Sequence, residues 1–388
     1  MVTHPERYRW VVLAAGALAQ GANASCFLGL PVLIPQLREH FGLSLPEAGL
    51  LVGAVNLGTM LTLVLWGASA DRFGERPVMT IGLLGAAVCL VGAATTGDVV
   101  LVALALLGSG AFGASANAAS GRAVMTWFPA GRRGVAMGVR QSATPVGAAF
   151  SALVLPPAAD SGGVPSAFLV LAAVSAVAAV AVLVWVREPE GVVRVPKGSG
   201  TGGVLRSPAL WRLSLASAFL VIPQFTATAL MVELFHDHRG VSVAVASLLL
   251  AVSQVLGAGG RLFNGAWSDR VGSRLGPLRV VSLSIAVSLL AVAVLDLANS
   301  PVALLAVVMV PAAALALSWN GLAFTAAGEM APEGRSGIAL GFQNTANYLA
   351  AAIAPGMAGW LAAEVSWPVA LAVGGGSAVI TLLMLREL

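Results

Sequence analysis

Apolar runs long enough to cross a bilayer as helices follow one another along most of this chain, parted by short stretches that hold the charges, glycines and prolines. A helix of about 20 residues spans the hydrocarbon layer, and in lipid only a helix or a closed barrel satisfies its own backbone. Twelve runs are read, at approximately 10–35, 46–69, 77–96, 99–127, 134–157, 164–186, 208–234, 242–267, 277–297, 300–328, 336–362 and 367–385. The expected fold class is therefore all-α integral membrane. With 58% hydrophobic and 10% charged residues, a chain of 388 residues carries more apolar surface than a soluble domain can hide. The first run starts behind Glu6, Arg7 and Arg9 and continues to about Pro35, too long for a cleavable signal segment, so a retained helix is expected.

A repeat organises these runs. Gly67-Ala-Ser-Ala-Asp71-Arg72-Phe-Gly74-Glu75-Arg76 returns 198 positions later as Gly265-Ala-Trp-Ser-Asp269-Arg270-Val-Gly272-Ser-Arg274. Each copy ends one apolar run and precedes another, which opens at Pro77 or Pro277. Matching charged turns at matching places predict two pseudo-symmetric six-helix bundles, at residues 1–186 and 208–388. The intervening 187–207 holds Gly-Ser-Gly-Thr-Gly-Gly from Gly198 to Gly203 and reads as a flexible cytoplasmic linker.

Of the 21 Lys and Arg residues, sixteen fall on one side: Arg7, Arg9, Arg72, Arg76, Arg132, Arg133, Arg187, Arg194, Lys197, Arg206, Arg212, Arg270, Arg274, Arg279, Arg335 and Arg386. Arg38 and Arg239 fall on the other. The positive-inside rule makes the rich side cytoplasmic, with both termini and the linker inside a plasma (inner) membrane. The net charge of +4 follows this loop pattern and forms no basic stripe, so nucleic acid is not expected as a partner. Cys26 and Cys89 lie within apolar runs and read as small buried hydrophobes. The histidines, His4, His40, His236 and His238, lie outside the runs. His236-Asp237-His238 is too short a ligand set for a defined metal site, and no catalytic grouping can be assembled at membrane depth. No enzyme, metal or cofactor is expected.

Twelve runs, a central loop and charged turns after the second and eighth runs resemble the major facilitator superfamily over essentially the whole chain. Gly67, Asp71, Arg72, Gly74 and Arg76 match its best-known cytoplasmic motif. Arg122-Ala-Val-Met-Thr-Trp127-Phe128-Pro129 with Arg133-Gly134-Val-Ala136-Met-Gly138-Val-Arg140-Gln141 resembles bacterial cyanate and monocarboxylate (oxalate–formate) carriers. The resemblance implies a monomeric secondary transporter working by alternating access of its two bundles, with Asp71 engaging the start of the eleventh helix to keep the cytoplasmic side shut. By the repeat, Asp269 does likewise against the fifth helix, beside Arg132 and Arg133. Asp71 ends its own helix, where the macrodipole disfavours a carboxylate, so a partner is needed. Arg72, Arg76 and Arg335 are the candidates, and Arg270 and Arg274 stand beside Asp269. The rival reading of both turns is a solvated loop that only sets topology.

Cargo is read from charges inside the runs, where each costs roughly 2.5–3.5 kcal/mol. Arg122, Arg140 and Arg261 are the clear cases, and no Asp or Glu lies securely at that depth; Glu233 falls near the outer end of the seventh run. Three guanidiniums short of carboxylates point to a small anionic substrate, since the planar fork matches a carboxylate. Each also has a plainer reading, Arg122 and Arg140 as side chains reaching the interface, Arg261 as a structural contact. Arg261-Leu-Phe-Asn-Gly265 resembles the eighth-helix arginine of monocarboxylate and oxalate carriers, although the eleventh run offers Gln343, Asn344 and Asn347 where an oxalate-type carrier has lysine. Gln20, Asn23, Gln224, Gln254 and Asn320 are further candidate substrate contacts, each alternatively an interhelical hydrogen bond. A monocarboxylate carried by proton symport or anion exchange is the favoured reading, with protons as coupling ion in the first case. A proton-coupled drug or metabolite exporter is the runner-up.

Overall fold

The structure, a computed structural model, describes residues 5–189, 191 and 202–388. The expected linker at 187–207 falls mostly outside the described residues, as do Arg194, Lys197 and His4. The described chain is helical, with eleven runs long and apolar enough to cross a membrane. One of them, Ala130–Trp185, is 56 residues long and is interrupted at Gly163, whose φ of 73° no helix adopts. Divided there, the runs make twelve helices: α1 Pro5–Phe27, α2 Leu45–Phe73, α3 Glu75–Thr95, α4 Val99–Trp127, α5 130–162, α6 164–185, α7 Pro208–Ala229, α8 Val243–Val271, α9 Leu275–Leu297, α10 Val302–Met330, α11 Ser336–Trp360 and α12 Trp367–Arg386. A short 3-10 turn, Leu30–Leu33, and the helix Ile34–Phe41 follow α1.

Local chemistry sets several boundaries. Ser44 caps α2 in a reciprocal pair with Glu47, and Asp98 caps α4 by accepting from the amides of Val100 and Leu101. Several boundaries differ from expectation: α1 ends at Phe27 and not near residue 35, α5 covers 130–162 and not 134–157, and the second and eighth helices run on past their expected ends. α2 does not end at residue 69 but runs through Asp71 and Arg72 to Phe73, stopping only where Gly74 takes φ 89°. α8 likewise continues to Val271 and ends on left-handed Gly272. The repeated acids are therefore helical residues, held in place by rigid backbone. The tenth run, expected to be one helix, is broken: α10a covers Val302–Ser318 and α10b Asn320–Met330.

The chain divides into two compact units. The first comprises Met1–Pro129, Val139–Leu205 and Gly328–Thr345; the second comprises Ala130–Gly138, Arg206–Ala327 and Ala346–Leu388. Each thus takes a short piece from the other half of the sequence, the start of α11 in the first unit and the start of α5 in the second.

Small residues bring helices together inside each unit. In the first, a side chain on Gly58 would strike the Leu107 carbonyl and one on Gly110 the Val55 carbonyl, so α2 and α4 meet almost backbone to backbone. Thr59 Oγ1 donates to the Gly110 carbonyl at 3.1 Å across this seam. In the second, Gly375 of α12 packs on Ala286 and Leu290 of α9, and Thr381 donates to the Ala216 carbonyl of α7 at 2.9 Å.

Candidate functional site

Asp71 resolves its conflict with its own helix dipole by capping another helix. Its Oδ1 accepts from the Gly337 amide at 2.8 Å and its Oδ2 from the Ile338 amide at 2.9 Å. These are among the orphan donors in the first turn of α11, where a negative charge is favoured. The third partner is none of the expected arginines but Arg122 of α4, whose Nε donates to Oδ1 at 3.1 Å. Arg72 stands over the Phe73 ring, and Arg76 donates to the Leu183 carbonyl. Arg122 also donates through Nη1 to Glu75 Oε1 at 2.5 Å, and Thr126 donates to the same oxygen at 2.9 Å. Glu188 lies 3.9 Å from that Nη1. Asp71, Glu75 and Arg122 are all buried.

This corrects the expectation that all three buried arginines lack acidic neighbours. Arg122 is a buried ion-pair member, tied to the two acids of the charged turn. Glu75 is the residue sequence reasoning missed. It opens α3 just past the non-helical Gly74, so no helical spacing links it to Asp71.

The second unit repeats the construction. Asp269 Oδ1 accepts from the Gly134 amide and Oδ2 from the Val135 amide, both at 2.9 Å, at the start of α5. Its cation is Arg274, whose Nη1 lies 2.6 Å from Oδ1 and also donates to Ser268 Oγ at 2.8 Å. Arg274 Nη2 donates to the Ala130 carbonyl. The expected neighbours Arg132 and Arg133 immediately precede the two residues whose amides Asp269 takes, and Arg270 is exposed. Glycines permit both approaches: a side chain on Gly67 would overlap the Gly337 carbonyl, and one on Gly265 the Gly134 carbonyl.

Arg140 occupies a polar nest in the first unit and is only 1% exposed. Nε donates to Ser120 Oγ at 2.8 Å, Nη1 to Gln141 Oε1 at 2.7 Å, and Nη2 to Gln20 Oε1 at 3.2 Å. Nη2 also donates to Asn117, through both its side-chain oxygen and its carbonyl. Gln20 Nε2 continues the network to Thr144 Oγ1 at 3.3 Å. Asn23 is buried one turn along α1 against Gly113 of α4. Asn117 and Ser120 were not singled out from sequence; Gly113 and Asn117, four apart on α4, were the available signal.

Arg261 lies in the second unit, buried, with Nε donating to the Leu317 carbonyl at 2.8 Å. Of the other candidates, Gln343 and Asn347 are buried on α11, Gln224 and Gln254 are half-buried on α7 and α8, and Asn320 opens α10b. Glu233 is exposed beyond α7. Among the described residues no grouping of His, Cys, Asp and Glu could hold a metal ion.

Two acids capping foreign helices at duplicated positions belong to one architecture, and a family model described as Major Facilitator Superfamily matches residues 13–355. The chain belongs to the Major Facilitator Superfamily. A Mycobacterium tuberculosis protein named as an uncharacterized MFS-type transporter is 37% identical over 375 residues, 95% of this chain and 82% of that protein. A probable sulfoacetate transporter of Cupriavidus necator is 33% identical over 150 residues, 38% of this chain and 34% of that one. Among solved structures, that of the proton:xylose symporter XylE bound to a bromodeoxyglucose superposes with a TM-score of 0.78 at 18% identity, covering 99% of this chain and 96% of that one. At that identity the likeness speaks for the fold alone. This superfamily member is a multi-pass membrane transporter, not an enzyme.

Proposed function

We propose that this superfamily transporter moves a small organic anion, with a monocarboxylate as the representative cargo, by alternating access coupled to proton symport or anion exchange. The observation that carries the reading is Arg140: a guanidinium buried to 1% exposure, deep in a span, and oriented by side chains from α1, α4 and α5. A cation is costly at membrane depth and is kept where the pathway uses it. Its planar fork is held by Ser120, Gln141, Gln20 and Asn117, and in this reading a carboxylate takes the place of some of those neutral acceptors when the cavity opens. Gln20 and Asn23 extend the same polar face, and Arg261, Gln224, Gln254, Asn320, Gln343 and Asn347 are the matching candidates elsewhere. The partial relative named for sulfoacetate supports an organic acid as cargo.

In the same reading Asp71 and Asp269 act as gates at the cytoplasmic ends of the two six-helix bundles, 1–186 and 208–388, with Arg72, Arg76, Arg270, Arg274 and Arg335 around them. Both termini lie in the cytoplasm of an inner-membrane protein. The test is uptake by proteoliposomes over a panel of monocarboxylates, sulfoacetate, cyanate and lipophilic cations, with and without a pH gradient. An organic acid is expected to accumulate, and Arg140→Lys, which keeps the charge but loses the fork, to slow it at least about tenfold. Transport of a lipophilic cation at a rate indifferent to Arg140→Lys would overturn the anion assignment in favour of an exporter.

A further inference from the structure

The break in α10 has no proline to cause it. Pro311 lies seven residues before Ser318, and the sequence at the break is Ser318-Trp319-Asn320-Gly321. The interruption lies in the hydrogen-bond ladder and not in the dihedrals, since Trp319 keeps a right-handed helical φ of −80° and ψ of −25°. Without proline a ladder is interrupted at Gly/Ser pairs or where a side chain enters it. Here two side chains enter. Asn264 Nδ2 donates to the Ser318 carbonyl at 3.3 Å and to Ser318 Oγ at 3.0 Å, and Arg261 Nε donates to the Leu317 carbonyl at 2.8 Å. In an unbroken helix those two carbonyls would accept from the amides of Leu322 and Gly321. The Leu322 amide instead turns to the Trp319 carbonyl at 3.1 Å, which the Ala323 amide also uses at 3.2 Å.

The two donors sit three residues apart on one face of α8, and both are buried. Gly257 and Gly260 precede them on that face, where a side chain would collide with those of Leu317 and Ser318. The guanidinium meets the carbonyl end of α10a, where the helix dipole favours a cation. Ser318 Oγ, donating to the Leu315 carbonyl at 2.8 Å, completes the cap. In the first unit the repeat puts other residues at the places of Arg261 and Asn264. Shifted by the 198-residue repeat, Arg261 becomes Leu63 and Asn264 becomes Trp66. Thr59 instead donates to the Gly110 carbonyl, and Thr62 and Trp66 to the Ala111 carbonyl, about two turns before the matching place, and α4 accommodates these bonds without a break over its 29 residues.

We propose that Asn264 is a positioning residue: with Arg261 it maintains a joint in the tenth helix by occupying the carbonyls that would otherwise re-form a straight helix across Ser318–Trp319. The joint is a property of the second unit and stands whatever the cargo is.

Hydrogen exchange on the purified full-length protein in lipid nanodiscs, read at residue resolution across 313–325, tests this. Asn264→Leu keeps the volume and removes the donor. The amides of Gly321 and Leu322 are expected to exchange at least about tenfold more slowly as they bond the released Leu317 and Ser318 carbonyls. Asn264→Gln, which retains an amide donor, is expected to restore the native rates. A side chain that merely packs would give the opposite sign, since its loss quickens exchange along α8 and α10 together. Unchanged rates in Asn264→Leu, faster rates throughout α10, or failure of Asn264→Gln to restore the native pattern would each overturn the proposal.

Discussion

At Asp71 a carboxylate meets two amides of α11 and an arginine from near the end of a neighbouring span; at Asp269 it meets two amides of α5 and an arginine from its own connecting loop. The amide contacts agree to within 0.1 Å, whereas the cations come from unrelated places in the chain. Duplication has kept the part set by backbone geometry, a helix end facing a helix start across paired glycines. It has let the charge balance drift. In the first unit Arg122 serves two buried carboxylates, Asp71 and Glu75, with Glu188 close by. In the second, Arg274 faces Asp269, and Ser273 stands where the repeat has Glu75. A cation in a span commits α4 to the first site, whereas the cation of the second comes from the loop after α8.

The largest expected difference between the sites follows from removing those cations. Arg122→Gln leaves two acids buried beside each other, a change that typically costs about 3–5 kcal/mol. Arg274→Gln leaves one, the half-buried Asp269 in the last turn of α8, and should cost about half as much or less. Denaturation midpoints of the two purified variants in matched micelles measure the gap. Equal losses would mean that the cation's origin is immaterial.

The carboxylates come next. Asp71→Asn and Asp269→Asn each place an amide nitrogen against backbone N–H groups and discard charge-assisted bonds, for about 2–3 kcal/mol apiece. Because the amide geometry is shared, the two losses should match, unlike those at the arginines. If the first site gates transport, Asp71→Asn should also raise the labelling of cysteines introduced at the start of α11 by a membrane-impermeant thiol reagent.

Glycine substitutions should again be symmetric and somewhat smaller. Gly67→Ala and Gly265→Ala put a methyl into a carbonyl of the facing helix, and overpacking of this kind costs about 1–3 kcal/mol. A thermal shift confined to one of them would show that the close approach is needed in only one unit.

How much of this was readable beforehand divides along the same line. The helix count and class follow from run length and hydropathy, which one span reveals by itself. The duplicated Gly67 and Asp71 are legible because a repeat writes them twice. The partners of Arg122 are not, because Asp71 is 51 residues away and no spacing rule joins them. The same is true of Asn117 and Ser120 around Arg140, which come from a different helix. The joint in α10 is only half legible: Ser318 and Asn320-Gly321 mark a weak point in the run, but the side chains that enter its ladder sit on α8. Span ends were misjudged where charged residues stayed helical, as Asp71 does, because a charge marks the membrane edge and not the helix end.

The smallest effect is the most discriminating. Glu75 adds a second negative charge to a site with one buried cation, and its Oε2 has no hydrogen-bond partner. Glu75→Gln removes that charge while keeping an oxygen for Arg122 Nη1 and Thr126 Oγ1. Losing an ion-pair partner usually destabilises, but here Asp71 still pairs with the arginine, so the change should fall within about 1 kcal/mol of the wild type. The introduced amide is also neutral beside Glu188, which relieves a like-charge approach. A loss of the size expected for Arg122→Gln would mean that Glu75, and not Asp71, is the acid that holds the arginine in place. The likeness between the two capping sites would then be confined to their amides.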